Sequence, residues 1–418
     1  MTTPRNPLPP PAARDPLARP QLHPVPPRTR SRAMRAMAAR AAQGRFVLQA
    51  CTVCGTATYP PRDACPRCWG TLAWHDQPTG GRVLANTVIR VSTDPYFRDR
   101  LPWHMGSILL DAGPVVFAHL ARGLEPGARV TMRLMLDRGG NAALFALPSD
   151  AAHPPQPEQG ATSMSADPQG RTFVVPVAGA TVLVSDARQP VGRALVGALA
   201  AAGARLVVAG LPGPAPMRDA HDPVLGLPGV QPLPLDVTDP VSVAETISRI
   251  GGPLDIVINT ARHVRAGGVS HDGNLLGHHR ALEVSAMGLA RLAQATAPIL
   301  AGRPSGAFLD VLSVKALAGD AGHAGFAAAE AARLSLLQSF RHEMRSTGVR
   351  VLEVFTGPTD DADHQALPPP KVAPARLAAA VLDALAQGRE QTCVGEVARE
   401  AMRRWLDDPA LFAREPQP

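Results

Sequence analysis

Hydrophobic positions change their rhythm twice along the chain. Between Gly80 and Leu147, short runs of β-branched and aliphatic residues (RVLANTVIRVS, GSILLDA, PVVFAHL, ARVTMRLML, AALFAL) are separated by Gly, Pro and Asp clusters such as Gly113-Pro114 and Pro126-Gly127. About five strands in so short a stretch predict a small β-barrel. From residue 179 apolar strands alternate with helical segments: TVLVS, a helix over 190–202, RLVVAG, PLPLDV, a helix after Asp239, LDIVINT, and a long helix over 274–300. AFLDVLSV, a helix over 324–346, RVLEVFTG, a helix over 373–388 and a last strand near Cys393 complete the series. Continuous apolar strands joined by helices predict a doubly wound, Rossmann-like α/β domain over 179–405 with a parallel sheet covered on both faces. Residues 31–44, rich in Ala, Met and Arg and stopped by Gly44, predict a helix. Residues 148–178, rich in Pro, Gly and Ser, read as a linker, and 406–418 as a tail.

Charge changes the picture of the N-terminus. Residues 1–45 carry nine Arg and one Asp, so the net +7 of the whole chain leaves residues 46–418 near neutral. Ten prolines fall in the first 30 residues, a composition that predicts an extended, disordered arm over 1–30 rather than a packed element or a helical transit peptide. No segment approaches the ~18–20 apolar residues of a membrane span, and no apolar signal core follows the first residues, so a soluble cytoplasmic protein is expected. Only two lysines, Lys315 and Lys371, and two tyrosines, Tyr59 and Tyr96, occur in the chain.

Four of the five cysteines form two knuckles, Cys51-Thr-Val-Cys54 and Cys65-Pro-Arg-Cys68. Paired C-x-x-C turns point four sulfurs inward, which suits a tetrahedral structural zinc ion with no open coordination position. A rubredoxin-type iron site is the alternative. The segment GRFVLQACTVCGTATYPPRDACPRCWGTLAW, with the preceding helix and the strands after Gly80, resembles the rubredoxin-like zinc ribbon joined to an OB-fold in a family of small proteins that accompany thiolases and acyl-CoA aldolases. The resemblance spans about residues 31–147, divided as helix and ribbon over 31–79 and OB-fold over 80–147. It implies docking to a thiolase-fold or aldolase subunit and a shared acyl-CoA site, without catalysis by the module itself. An OB-fold beside a basic arm is also compatible with nucleic acid, for which Tyr96, Phe97 and Trp103 among arginines would be the stacking candidates. The near-neutral remainder of the chain argues against that reading.

Residues 179–405 resemble the short-chain dehydrogenase/reductase family, through TVLVSDARQPVGRAL, PLDVTD, DIVINTA, ALEVSAMGLARLAQA, FLDVLSV and VLEVFTGPTD. The resemblance implies NAD(P) binding and a Ser/Tyr/Lys/Asn relay, yet the residues depart from that pattern. The dinucleotide loop reads Ser185-Asp186-Ala187-Arg188-Gln189-Pro190-Val191-Gly192, and only Gly192 of its glycines remains. Asp186 brings a carboxylate to a phosphate position, and Pro190 removes an N–H donor. The second strand ends in Gly210-Leu211-Pro212-Gly213, which offers no ribose partner. Asp236 and Asn259 match adenine-side and strand-support positions, and they serve equally well as loop-holding residues. Arg262 replaces the glycine that follows the second of these.

Ser313 matches the catalytic serine. Phe326 stands where the tyrosine belongs, Glu330 where the lysine belongs, and Ser285 where the asparagine belongs. Without a phenol and a neighbouring cation to lower its pKa, the relay has no proton donor; His323 is the one nearby group able to act as an acid. The expectation is a non-catalytic scaffold of acyl-CoA metabolism. Its first module would dock a thiolase-fold or aldolase subunit, and its second would pair with itself or with an active dehydrogenase through the helices at 274–300 and 324–346. An active NAD(P)-dependent oxidoreductase and a nucleic-acid binder are the competing classes.

Overall fold

A computed structural model of the 418-residue chain describes residues 23–27, 31–149, 164–213, 222–270 and 275–415. Helix α1 (Arg32–Ala41) begins where the Ser31 side chain accepts the Met34 amide, and it buries Ala33, Met37 and Ala41. Strands β1 (Val47–Cys51), β2 (Ala57–Thr58) and β3 (Leu72–Asp76) form an antiparallel sheet in the order β2-β1-β3. The next five strands are β4 (Gly80–Ile89), β5 (Trp103–Leu110), β6 (Val115–Leu120), β7 (Arg129–Leu136) and β8 (Ala142–Pro148). They close a barrel in the order β4-β5-β6-β8-β7, in which β6 and β8 run parallel. A register shift at Val83/Ala85 bends β4, the local distortion by which a strand turns a barrel corner. Helix α2 (Pro95–Arg98), capped by Asp94, bridges β4 and β5.

The second half is a seven-stranded sheet. Its strands are β9 (Thr181–Val184), β10 (Leu206–Leu211), β11 (Val230–Pro234), β12 (Ile256–Asn259), β13 (Ala307–Ser313), β14 (Arg350–Thr356) and β15 (Gln391–Val394). All pair in parallel in the order β11-β10-β9-β12-β13-β14-β15. Every residue of β9, β12, β13 and β14 is buried. That explains their uninterrupted apolar spelling, since both faces of a parallel sheet are covered. Helices α3 (Pro190–Ala201) and α8 (Pro374–Gln387) pack on one face. Helices α4 (Pro240–Ile250), α6 (Gly288–Ala301), α7 (Ala324–Met344) and α9 (Glu396–Asp407) pack on the other. The helix expected over 274–300 is α5 (Leu276–Ala281) and α6, joined by one π-turn at Leu282–Met287.

Three expectations about chain ends and joints need correction, each because apolar side chains find cover. Met164, Phe173, Val174 and Val175, assigned to the linker, are at most 2% exposed, and the Val175 amide donates to Leu385 O. The tail continues α9 and adds α10 (Pro409–Phe412), whose Phe412 enters the core. Of the arm, residues 23–27 pack where the halves meet: Pro26 is buried and Pro27 O accepts from Asn141 Nδ2 at 3.1 Å. The rest of 1–30, and 150–163 of the linker, lie outside the described residues.

Two buried arginines join the halves. Arg350, opening β14, donates to Leu136 O at 2.6 Å and Phe173 O at 2.8 Å, and Arg138 donates to Val174 O at 2.8 Å. Gly388 sits at φ +64, where a Cβ would lie 2.3 Å from Phe173 O, so only glycine lets the segment cross there.

Candidate functional site

The four knuckle cysteines converge as their spacing requires. Cys51 closes β1, and the turn after it returns Cys54; Cys65 and Cys68 come from the opposing turn. Cys51 Sγ lies 3.5 Å from Cys68 Sγ, Cys54 Sγ lies 3.7 Å from Cys65 Sγ, and all four ligand atoms fall within 4.8 Å of one another. A tetrahedron of ~2.3 Å Zn–S bonds has edges of about 3.8 Å, so the cage fits the ion. None of the four is in a disulfide. Backbone amides support the negative sulfurs: Val53 and Cys54 donate to Cys51 Sγ, and Arg67 donates to Cys65 Sγ. The amide bonds from Cys54 and Val53 lower the Cys51 pKa, and the Thr56 hydroxyl and amide bring Cys54 down to about 6. Four thiolates leave no position for substrate, so the ion these residues would hold is structural.

The other candidate site is the carboxyl edge of the seven-stranded sheet, at the switch between β9 and β12 where nucleotides bind in doubly wound folds. Its polar groups bond to one another. Ser185 Oγ donates to Asn259 Oδ1 at 2.7 Å and accepts from the Thr260 amide at 2.9 Å, while Thr260 Oγ1 donates to Asp186 O at 2.9 Å. Asp186 is 7% exposed; burial raises its pKa, and its carboxylate accepts the Arg188 amide at 2.9 Å. An N–H that would face a phosphate is thereby already engaged. Gly192 allows α3 to approach β9, because a Cβ there would lie 1.8 Å from Asp186 O. Asp236 accepts the Thr238 amide and hydroxyl at 2.9 and 2.7 Å, shaping the turn into α4.

The positions that the resemblance matches to the relay bond to neighbours within the fold. Phe326 is 1% exposed and borders a cavity of about 10 Å³ shared with His278 and Gly325. Glu330, fully buried, accepts the Ser313 amide at 2.7 Å and pairs with Arg333 at 2.6 Å. Arg333, also fully buried, reaches Asp310 and donates to Val311 O at 3.1 Å. Asp310 in turn accepts from Asn259 Nδ2 at 2.8 Å. Burial pushes the Asp310 carboxyl up, an effect the Arg333 charge opposes. Ser313 Oγ accepts the Lys315 amide at 3.2 Å. Ser285 sits in the π-turn, where its Oγ accepts the His263 amide at 3.3 Å. His323 precedes α7, 3.4 Å from Asp320, a carboxylate that also pairs with Lys315.

A family model described as Enoyl-(Acyl carrier protein) reductase matches residues 187–398, about half of the chain. The chain belongs to the short-chain dehydrogenase/reductase family. It is 32% identical over 184 residues to an uncharacterized oxidoreductase of Myxococcus xanthus, covering 42% of this chain and 71% of that one. It is 30% identical over 191 residues to the 3-oxoacyl-[acyl-carrier-protein] reductase FabG of Escherichia coli, covering 43% and 73% respectively. A short chain dehydrogenase from Burkholderia cenocepacia, solved in complex with NADP, aligns with a TM-score of 0.53 at 30% identity, over 57% of this chain and 98% of that one. The first half matches two further models, described as the ChsH2 rubredoxin-like zinc ribbon domain over 38–74 and the ChsH2 C-terminal OB-fold domain over 74–134.

In this short-chain dehydrogenase/reductase domain the structure adds partners that sequence reasoning missed. Arg333 is one; an arginine one turn after Glu330 in the alanine-rich stretch of α7 was the available signal. The other group lies across the sheet edge. Arg262 donates to Asp361 at 2.8 Å and Thr359 at 2.9 Å, linking the segments after β12 and β14. His364 Nδ1 lies 2.7 Å from Asp361, and although burial would raise Asp361, bonds from His364 and Thr359 with the Arg262 charge bring it to about 2. Tyr96 and Trp103, considered above as base-stacking rings, are 2% exposed.

Proposed function

We propose that the chain is a non-catalytic accessory subunit of acyl-CoA metabolism. The ribbon and barrel dock a thiolase-fold or aldolase subunit and border its acyl-CoA site. The dehydrogenase-like half pairs with itself or with an active dehydrogenase, so that adjacent steps are held together. The observation that carries this reading is the Glu330–Arg333–Asp310 network. It places a neutralised carboxylate where the relay needs a cation beside a phenol, and the neighbouring ring is that of Phe326. A buried, satisfied network of this kind is a structural element rather than a proton path. The match of residues 38–134 to the ribbon and barrel models supports the docking half of the proposal.

Two measurements test it. Calorimetry with a purified thiolase-fold subunit of acyl-CoA metabolism from the same organism is expected to give saturable binding, and its absence removes the docking role. Fluorescence titration with NADPH and NADH is expected to show no micromolar binding. The relatives named as oxidoreductases, and the neighbour solved with NADP, favour a second reading as an active NADP-dependent oxidoreductase; tight binding followed by turnover of a ketoacyl thioester would establish it.

A further inference from the structure

The tip of the ribbon holds an apolar side chain that the chain's own core does not use. Trp69 follows the last cysteine and is 83% exposed. Its φ is +63, and it is the only non-glycine residue with positive φ among the described residues. The knuckle imposes that angle: the Trp69 amide donates to Cys65 O at 2.9 Å, and the Cys65 amide donates to Gly70 O at 3.0 Å. Glycine is the residue suited to such a position, and a bulky L-residue there is disfavoured. The indole therefore sits where local stability selects against it, and it gains little burial in return.

Its surroundings complete a surface. Val53 of the opposing knuckle is 75% exposed, and its Cγ2 lies 2.8 Å from where a Cβ on Gly70 would stand, so the two knuckle tips touch. Arg67 lies within the second knuckle and Arg62 three residues before it; both are exposed, and neither side chain pairs with a carboxylate among the described residues. Residues 46–147 hold ten arginines against seven acidic residues, and Arg32, Arg35, Arg40 and Arg45 precede them, so the first module is basic although residues 46–418 are near neutral as a whole. Stacking on nucleic acid calls for several rings along a groove. Tyr96 and Trp103 are buried and Phe97 is part-buried, and the other strongly exposed ring, Phe117, lies on barrel strand β6, so Trp69 is the ring that the ribbon tip projects, the form of an interface anchor.

We infer that Trp69, with Val53 of the opposing knuckle and the exposed Arg62 and Arg67 of its own segment, is the anchor by which the ribbon docks its partner subunit, entering an apolar pocket rimmed by carboxylates. This rests on the docking role proposed above and names the surface that performs it. The full-length chain and its Trp69→Gly and Trp69→Phe variants are titrated calorimetrically into a purified thiolase-fold subunit from the same organism, with zinc content and thermal midpoint measured in parallel. Trp69→Gly is expected to weaken Kd about 30-fold or more, the scale of a tryptophan hot spot, while keeping one zinc per chain and a midpoint at or above that of the wild type. Trp69→Phe is expected to retain most of the affinity, and Arg67→Glu to weaken it in a way that fades with added salt. If Trp69→Gly holds zinc and binds like the wild type, the anchor is overturned and the docking role stands. If the wild type does not bind, both fall. Retention of the wild type on single-stranded nucleic acid, lost in Trp69→Gly, would also overturn the protein-anchor assignment.

Discussion

The ribbon and the dehydrogenase half dispose of their polar groups in opposite ways. Cys51, Cys54, Cys65 and Cys68 face one point with their sulfurs directed to a shared centre, so the ribbon keeps coordinating capacity for a ligand that arrives from outside. At the sheet edge Ser185, Asp186, Asn259, Asp310, Glu330 and Arg333 direct much of theirs to one another. A site remains a site when its geometry leaves donors and acceptors directed at a shared centre. The same residue types become scaffold once they satisfy each other, because a buried polar group without a partner is costly and a paired one is not available for binding. The short-chain dehydrogenase/reductase fold thus stands with Phe326 and Glu330 at the positions where the resemblance implies a tyrosine and a lysine.

The strongest way to break this comparison is to remove the metal. Cys65→Ser or prolonged chelation is expected to unfold residues 47–76, since four-thiolate zinc contributes roughly 10–16 kcal/mol in small modules. Amide exchange should show lost protection in β1 and β3 with β9 through β15 unchanged; loss across both halves would show that the ribbon also supports the second domain. Next in size is Arg333→Met, which leaves Glu330 and Asp310 buried without their cation. Denaturant unfolding is expected to show a loss of about 3–5 kcal/mol, whereas replacing Asp310, Glu330 and Arg333 together by apolar residues of similar volume should restore most of it. A single-variant loss below about 1 kcal/mol would mean that the network is not a structural element.

The joint between the halves offers a pH test. His119 accepts the Trp103 indole N–H at 2.9 Å and packs on Phe173, and burial holds its pKa down at about 4. Its folded pKa is below the unfolded value, so the stability tied to neutral imidazole is complete above about pH 6.5 and is lost as pH falls through 4. The loss is expected to be on the order of 3 kcal/mol, and His119→Asn should flatten that part of the stability profile measured by thermal melts. The smallest effect is expected from Phe326→Tyr. It returns a phenol next to a cavity of about 10 Å³, with Glu330 rather than a cation one turn away. Stability should change by less than about 1 kcal/mol, and NADPH oxidation with a ketoacyl thioester should stay at background. A measurable rate would show that the missing tyrosine alone silences the domain.

Much of the fold was legible because its causes are local or periodic. The five barrel strands, the alternation of helices and apolar strands, and the paired cysteines each follow from spacing that survives any change of surroundings. What escaped notice depends on contacts between distant segments. Phe173 and Val174 look like the end of a linker until Arg350 and Arg138 arrive at their carbonyls. Pro26 belongs to a composition that stays extended, yet it lies buried against the Asp137–Asn141 turn. The π-turn that carries Ser285 leaves no mark in a helical pattern, because it needs only one extra residue in a turn.

The sequence by itself determined that four thiols would meet and that the second half lacks a phenol and a lysine one turn apart, since both are statements about which atoms exist at which spacing. Tertiary structure alone decided what Phe326 and Glu330 do at those positions. Glu330 reads as a residue of the wrong sign until β13 brings Asp310 against α7, and Arg333 then lies between the two carboxylates. Whether a buried charge marks a lost function or a new structural bond depends on the partner that the fold carries to it, and that partner is separated along the chain from the residue it neutralises.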